Sequence, residues 1–189
     1  MEENTLKLNA GKTHLLTLGT DIMLDRPENQ LHVSMDGICL PQSESNYETL
    51  LGCKIQSNLK WAEHKGDLKR RLSNRIAGVY CIRKAIPLKT LKIICQGWFN
   101  SILVYCLPLY GGCAKGDLGD LQVIQNKLAR LIMFSPFDTS RNLLYDLLEW
   151  MTVKQLIFYH TDLVVYKIRE SGEPSEIATL FKRENRNQM

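Results

Sequence analysis

The sequence predicts a mainly α, α+β protein in which a small β-hairpin-rich piece precedes a helical bundle and further helices. Three observations carry that expectation. Apolar and polar residues alternate on both sides of Asp36-Gly37. Beyond Trp61 the apolar period lengthens to about 3.6 residues, beginning with Leu68, Leu72, Ile76, Val79, Ile82 and Ile86. Thr152 and Gln155 then have the spacing of a capping box, in which each side chain satisfies a backbone amide at the helix start.

Taken in order, residues 6–18 read as mostly extended, interrupted by an Ala10-Gly11 turn. Residues 31–40 read as a hairpin, because Asp-Gly tolerates the positive φ of a type I′ turn. A polar loop follows, and residues 47–55 suit a further short strand. The first long helix ends or kinks at Pro87, where the ring removes an amide donor and clashes with the preceding turn. The second aligns Leu91, Ile94, Cys95, Trp98, Ile102 and Tyr105, before a turn over residues 108–116. A third starts near Asp117 with Leu121, Ile124, Leu128 and Leu131 inward, and Pro136 lies beyond its end. A short helix around residues 141–148 leads to the capped last helix, which Gly172 stops near Ser171. The expected organisation is a β-rich segment over 1–60, a helical domain over 61–135, a helical region over 136–175 and a polar tail over 176–189.

A hydrophobic fraction of 44% can supply a core, which argues against wholesale disorder. No apolar run approaches the roughly 18–20 residues that span a bilayer, so no membrane partner is expected. The acidic, polar start Met1-Glu2-Glu3-Asn4 is unlike a signal peptide, and the expected setting is intracellular. Six cysteines without a C-x-x-C pair read as reduced and mostly buried, and the scattered His14, His32, His64 and His160 do not suggest zinc.

The charge is concentrated. Between Lys60 and Lys92, ten basic and two acidic residues give +8, against +4 for the whole chain, leaving −4 elsewhere. Such a segment suggests a polyanionic partner. At about 100° per residue from Leu68, Lys69 lies near 100°, Lys84 near 160° and Arg70 near 200°, away from the apolar stripe. Arg75 falls within the stripe and is expected to snorkel or pair with an acid. Nucleotidyl transfer needs divalent ions held by carboxylates on one hairpin. No aspartate pair here occupies a strand-turn-strand unit, and neither a phosphate-binding Gly-rich loop nor an H-E-x-x-H nor a G-x-S-x-G motif occurs.

Leu8-Asn9-Ala10-Gly11-Lys12-Thr13 fits an L-N-x-x-K-T element, and Leu50-Leu51-Gly52-Cys53-Lys54-Ile55-Gln56-Ser57-Asn58-Leu59-Lys60-Trp61 fits L-L-G-x-x-I-x-x-x-L-x-W. Both resemble the end of the palm in non-LTR (LINE-type) retrotransposon reverse transcriptases, the second being similar to the primer grip. Residues 121–132, LQVIQNKLARLI, resemble the L-Q-x-x-Q-N-K-x-x-R-x-I helix after the thumb of that family. Ser101-Ile102-Leu103-Val104-Tyr105 resembles the helix leading to Y-G-x-x-x-W, with Cys106 and Tyr110 departing from it. The resemblance covers roughly residues 6–170.

The resemblance implies a truncated copy, with the last palm strands, the primer grip, the thumb and a helical region after it. It implies that Lys12 lies near an incoming triphosphate in the intact enzyme, that Leu51 and Gly52 form the primer-grip turn, and that Lys65, Lys69, Arg70, Arg71 and Lys84 meet nucleic acid. The catalytic aspartate pair is expected upstream of Leu8 and outside this chain. The piece would then bind a template–primer duplex, with the missing palm as a further partner, without catalysing RNA-directed DNA synthesis. No cofactor of its own is expected, although the parent polymerase would need magnesium. The alternatives are a helical protein-interaction module that does not bind nucleic acid, and a transposon-derived product without function.

Overall fold

The structure is a computed structural model that describes residues 9, 13–26, 32–35, 37–43, 45–112 and 115–181. The protein is mainly α, with two small antiparallel hairpins near its start among the described residues. Contacts divide it into two compact units, Met1–Asp67 and Leu68–Met189.

In the first unit, Thr20 caps the one-turn helix α1 (Asp21–Leu24). Strands β1 (Ser34–Met35) and β2 (Ile38–Cys39) pair antiparallel, with Gly37 at φ 78° in their turn. Strands β3 (Tyr47–Leu50) and β4 (Cys53–Gln56) form a second hairpin, where one continuous strand was expected. Leu50 pairs with Cys53, so Leu51 and Gly52 alone make the turn, at φ 49° and 81°. Two successive positive φ values describe the type I′ geometry that matches strand twist. Leucine is a poor turn former, so strand propensity alone runs through this position, although the resemblance implies a turn at Leu51-Gly52. The expected extended run before residue 18 contributes, among the described residues, only an isolated parallel bridge between Leu15 and Gln42.

Helix α2 (Ala62–Ile82) begins in the first unit and continues into the second. Gln56 and His64 tie its start to β4. Gln56 Oε1 accepts from the Glu63 amide at 3.0 Å, and His64 Nδ1 accepts from the Lys54 amide at 3.3 Å. The helix ends five residues before Pro87, earlier than expected, and Pro87 instead caps α3 (Leu88–Cys95). That helix passes through a π-helical stretch, Gln96–Asn100, into α4 (Ser101–Val104). Cys106 turns left-handed at φ 57°, and the short α5 (Leu107–Tyr110) occupies part of the expected turn.

Helix α6 (Lys115–Met133) is central to the second unit, with Leu121, Gln125, Leu128, Ala129 and Ile132 buried. Helix α7 (Arg141–Leu148) spans the residues expected for it. Helix α8 (Val153–Ser171) has the full Thr152–Gln155 capping box and ends at Gly172, φ 71°. A final turn, α9 (Ser175–Ala178), runs into 3-10 helix at Thr179–Phe181. Among the described residues no helix is long and apolar enough to cross a membrane.

Two glycines show opposite packing. A Cβ on Gly78 would come within 2.5 Å of the Trp98 ring, whereas a Cβ on Gly119 would meet nothing within 4 Å. Gly119→Ala is therefore expected to stabilise the protein by about 0.5–1 kcal/mol, because alanine loses less backbone entropy in a helix. Gly78→Ala is expected to destabilise it by about 1–3 kcal/mol through overpacking. Urea denaturation of the two variants checks both signs.

Candidate nucleic-acid interface

The inward stripe of α2 is Leu68, Leu72 and Val79, all buried. The basic residues of residues 60–92 are distributed around and beyond it in four different ways.

Some are held by acids. Lys60 pairs with Asp21, whose carboxyl is held below its usual range by hydrogen bonds from Lys60 and then Asn58. Lys69 pairs with Asp120 of α6 and keeps 35% of its side chain exposed. Lys92 lies 3.6 Å from Glu149 and 3.5 Å from the Leu147 carbonyl at the end of α7.

Others lie on aromatic rings. The Arg75 guanidinium sits 4.7 Å from the Trp98 ring centroid, so its partner is an aromatic ring rather than an acid. Gly78, one turn along, leaves room for that ring. Arg83 lies over Tyr80 and Phe134 and donates to the Leu131 carbonyl at 2.9 Å, where the last turn of α6 leaves acceptors unpaired.

Lys65 corrects an expectation. It is only 4% exposed, in the first turns of α2 beside buried His64, and so cannot reach a phosphate backbone. The spacing of apolar residues in the sequence missed this, because the apolar stripe was anchored on Leu68 and does not describe the burial of the helix start.

The remaining cations face outward. Arg70 and Arg71 are exposed, although each also contacts other residues of the protein. Lys84 is exposed but stands in the turn after α2, so the helical angle assigned to it does not apply. Lys89, which was not singled out in the sequence, is exposed on the first turn of α3. Its signal was the helix start that Pro87 marks. Lys12 lies outside the described residues.

Leu51 and Gly52 form the tip of the β3–β4 hairpin, with Leu51 84% exposed. A left-handed conformation costs an ordinary L-residue roughly 1–2 kcal/mol. Leu51→Asn is accordingly expected to stabilise the hairpin by up to about 1 kcal/mol, since asparagine tolerates this region. Thermal denaturation with amide exchange at β3 and β4 measures that gain.

The segment 121–132 has an internal role. Gln122 Nε2 lies within hydrogen-bonding reach of Tyr145 Oη at 2.6 Å, Asn126 Oδ1 at 2.9 Å and Gln125 Oε1 at 3.2 Å. Gln122 Oε1 accepts from the Val153 amide at 2.9 Å, and Gln125 Nε2 donates to the Met151 carbonyl at 3.0 Å. Tyr145 donates to Asn126 at 2.9 Å, and burial pushes its phenol well above the usual range. These side chains fasten α6 to α7 and to the first turn of α8, satisfying an amide that a helix start would leave unpaired. Lys127 of the same motif is exposed.

The cysteines divide. Cys53 and Cys95 are buried, and burial pushes the Cys95 thiol up to about 11. Cys39 and Cys81 are exposed, against the expectation of burial. Among the described residues no group of three or more His, Cys, Asp or Glu could hold a metal ion. No family model, curated protein or solved structure matches the chain.

Proposed function

We propose that this chain is a template–primer-binding piece of a non-LTR-type reverse transcriptase, contributing to RNA-directed DNA synthesis only together with a catalytic palm. The observation that carries the reading is the placement of Arg70 and Arg71 on the exposed side of α2, with Lys84 and Lys89 exposed beyond its end. The order of the L-N-x-x-K-T, L-G-x-x-I-x-x-x-L-x-W and L-Q-x-x-Q-N-K segments supports it.

Cations on a helix whose opposite side is buried can follow a phosphate backbone without reading bases, because phosphates carry no sequence identity. Arg70 and Arg71 can each offer planar, multiply donating guanidinium groups to phosphate oxygens. Lys69 supplies less, since contact with a phosphate would compete with Asp120.

The protein is expected to be retained on immobilised duplex DNA at low salt and released as salt rises. It is also expected to give no primer extension with magnesium or manganese, the aspartate pair of the resembled enzymes being absent from this sequence. Passage through the duplex column unretained, or extension by purified protein, would refute the reading.

A further inference from the structure

An open cleft of about 790 Å³ lies in the second unit, between α5, the first turns of α6 and the start of α8. Its apolar wall includes Leu118, Val153, Ile157 and Phe158. Arg141 and Lys154 also line it, and both are exposed, while among the described residues none of its lining is acidic. Lys154 Nζ rests 5.8 Å from the Phe158 ring centroid, so cation and aromatic face stand at the same rim. Gly112 and Gly119 line the cleft as well, and a Cβ built on either would meet only open space. Bare glycines let another backbone approach closely.

We propose that this cleft is a docking site for an acidic, amphipathic segment of a partner protein. Apolar side chains of that segment would fill the cleft, and its carboxylates would reach Arg141 and Lys154. Such a mode follows the general pattern of apolar anchors in a groove with complementary charge at the rim. The charge selects among occupants. The chain's own end, with Lys182, Arg183 and Arg186 against Glu184, is basic and would be repelled. A nucleic-acid backbone would find the cations but would leave the apolar wall wet.

The test uses a fluorescein-labelled helical peptide with leucines on one face flanked by glutamates, beside the same peptide with lysines for the glutamates. Fluorescence anisotropy with the full chain should show saturable binding of the acidic peptide only. Arg141→Glu with Lys154→Glu should weaken that binding about tenfold or more, because like charges would meet at the rim. Gly119→Trp should abolish it by filling the cleft, with helicity by circular dichroism unchanged. If the tryptophan variant does not fold, the charge-reversed variant decides, since both cations are exposed. No saturable binding, equal binding of both peptides, or full affinity in either folded variant would overturn the proposal. So would sedimentation showing that the cleft mediates self-association, or a charge-reversed variant that loses duplex DNA but keeps the peptide.

Discussion

Truncating Phe99 to alanine is expected to lower the unfolding free energy by about 3–5 kcal/mol. Phe99 is 0% exposed and lies in the π-helical stretch between α3 and α4. Its neighbours along the chain's buried face are Leu91, Cys95, Leu103 and Leu107, each spaced by four residues. On a regular α-helix a four-residue step drifts about 40° around the axis, so the four positions from Leu91 to Leu103, which precede the break at Cys106, would spread over about 120°. A π-helical turn closes its hydrogen bond one residue later and so absorbs part of that drift. The loss of a ring there removes core contacts and leaves a cavity that the surrounding helices fill only partly. Urea or guanidinium titration of Phe99→Ala, followed by circular dichroism, measures the effect. A change below about 1 kcal/mol would place Phe99 outside a tightly packed core.

The same stretch explains why part of the helical core was illegible in the sequence. A uniform α period aligns Ile94, Trp98 and Ile102, whereas the protein buries Phe99 and Leu103 and leaves Trp98 37% exposed against α2. The π turn shifts the register, and no residue type announces it. Where elements keep to regular chemistry, the reading holds. Thr152 and Gln155 form their capping box, Gly172 takes the left-handed cap, and α7 spans residues 141–148. The hairpin turn at Leu51-Gly52 lies where the resemblance implies a turn, but the residue pattern alone reads as one strand, because a leucine fills a position that asparagine or glycine usually signals.

The candidate interface was legible as a charge cluster but not residue by residue. Sequence distance cannot show that Asp120 lies against Lys69, fifty-one positions away, or that Trp98 offers its face to Arg75. Helical phase alone also fails where the helix stops, and so it misplaced Lys84. The Q-x-x-Q-N segment could be recognised by its pattern. Its work as a clamp on Met151 and Val153 depends on a chain reversal that the pattern does not contain.

The central claim is that the outward cations of α2 and the turn after it bind a phosphate backbone. Its most direct test is duplex affinity as a function of salt, for the natural chain and for Arg70→Ala, Arg71→Ala and Lys84→Ala combined. Each phosphate contact contributes about −0.9 to the slope of log K against log[salt]. The natural chain should bind two unrelated duplex sequences alike, with a slope of about −3 to −4.5 for roughly three to five contacts. The triple variant should bind more weakly, with the slope flattened by about 2 to 3. Its helicity should be retained, because alanine favours helix and all three side chains are exposed. Replacing buried Lys65 or ring-stacked Arg75 should instead reduce stability more than it changes the slope. A folded triple variant with unaltered affinity and unaltered slope would contradict the account, and would leave α2 as a solvated face of a helical protein-interaction module.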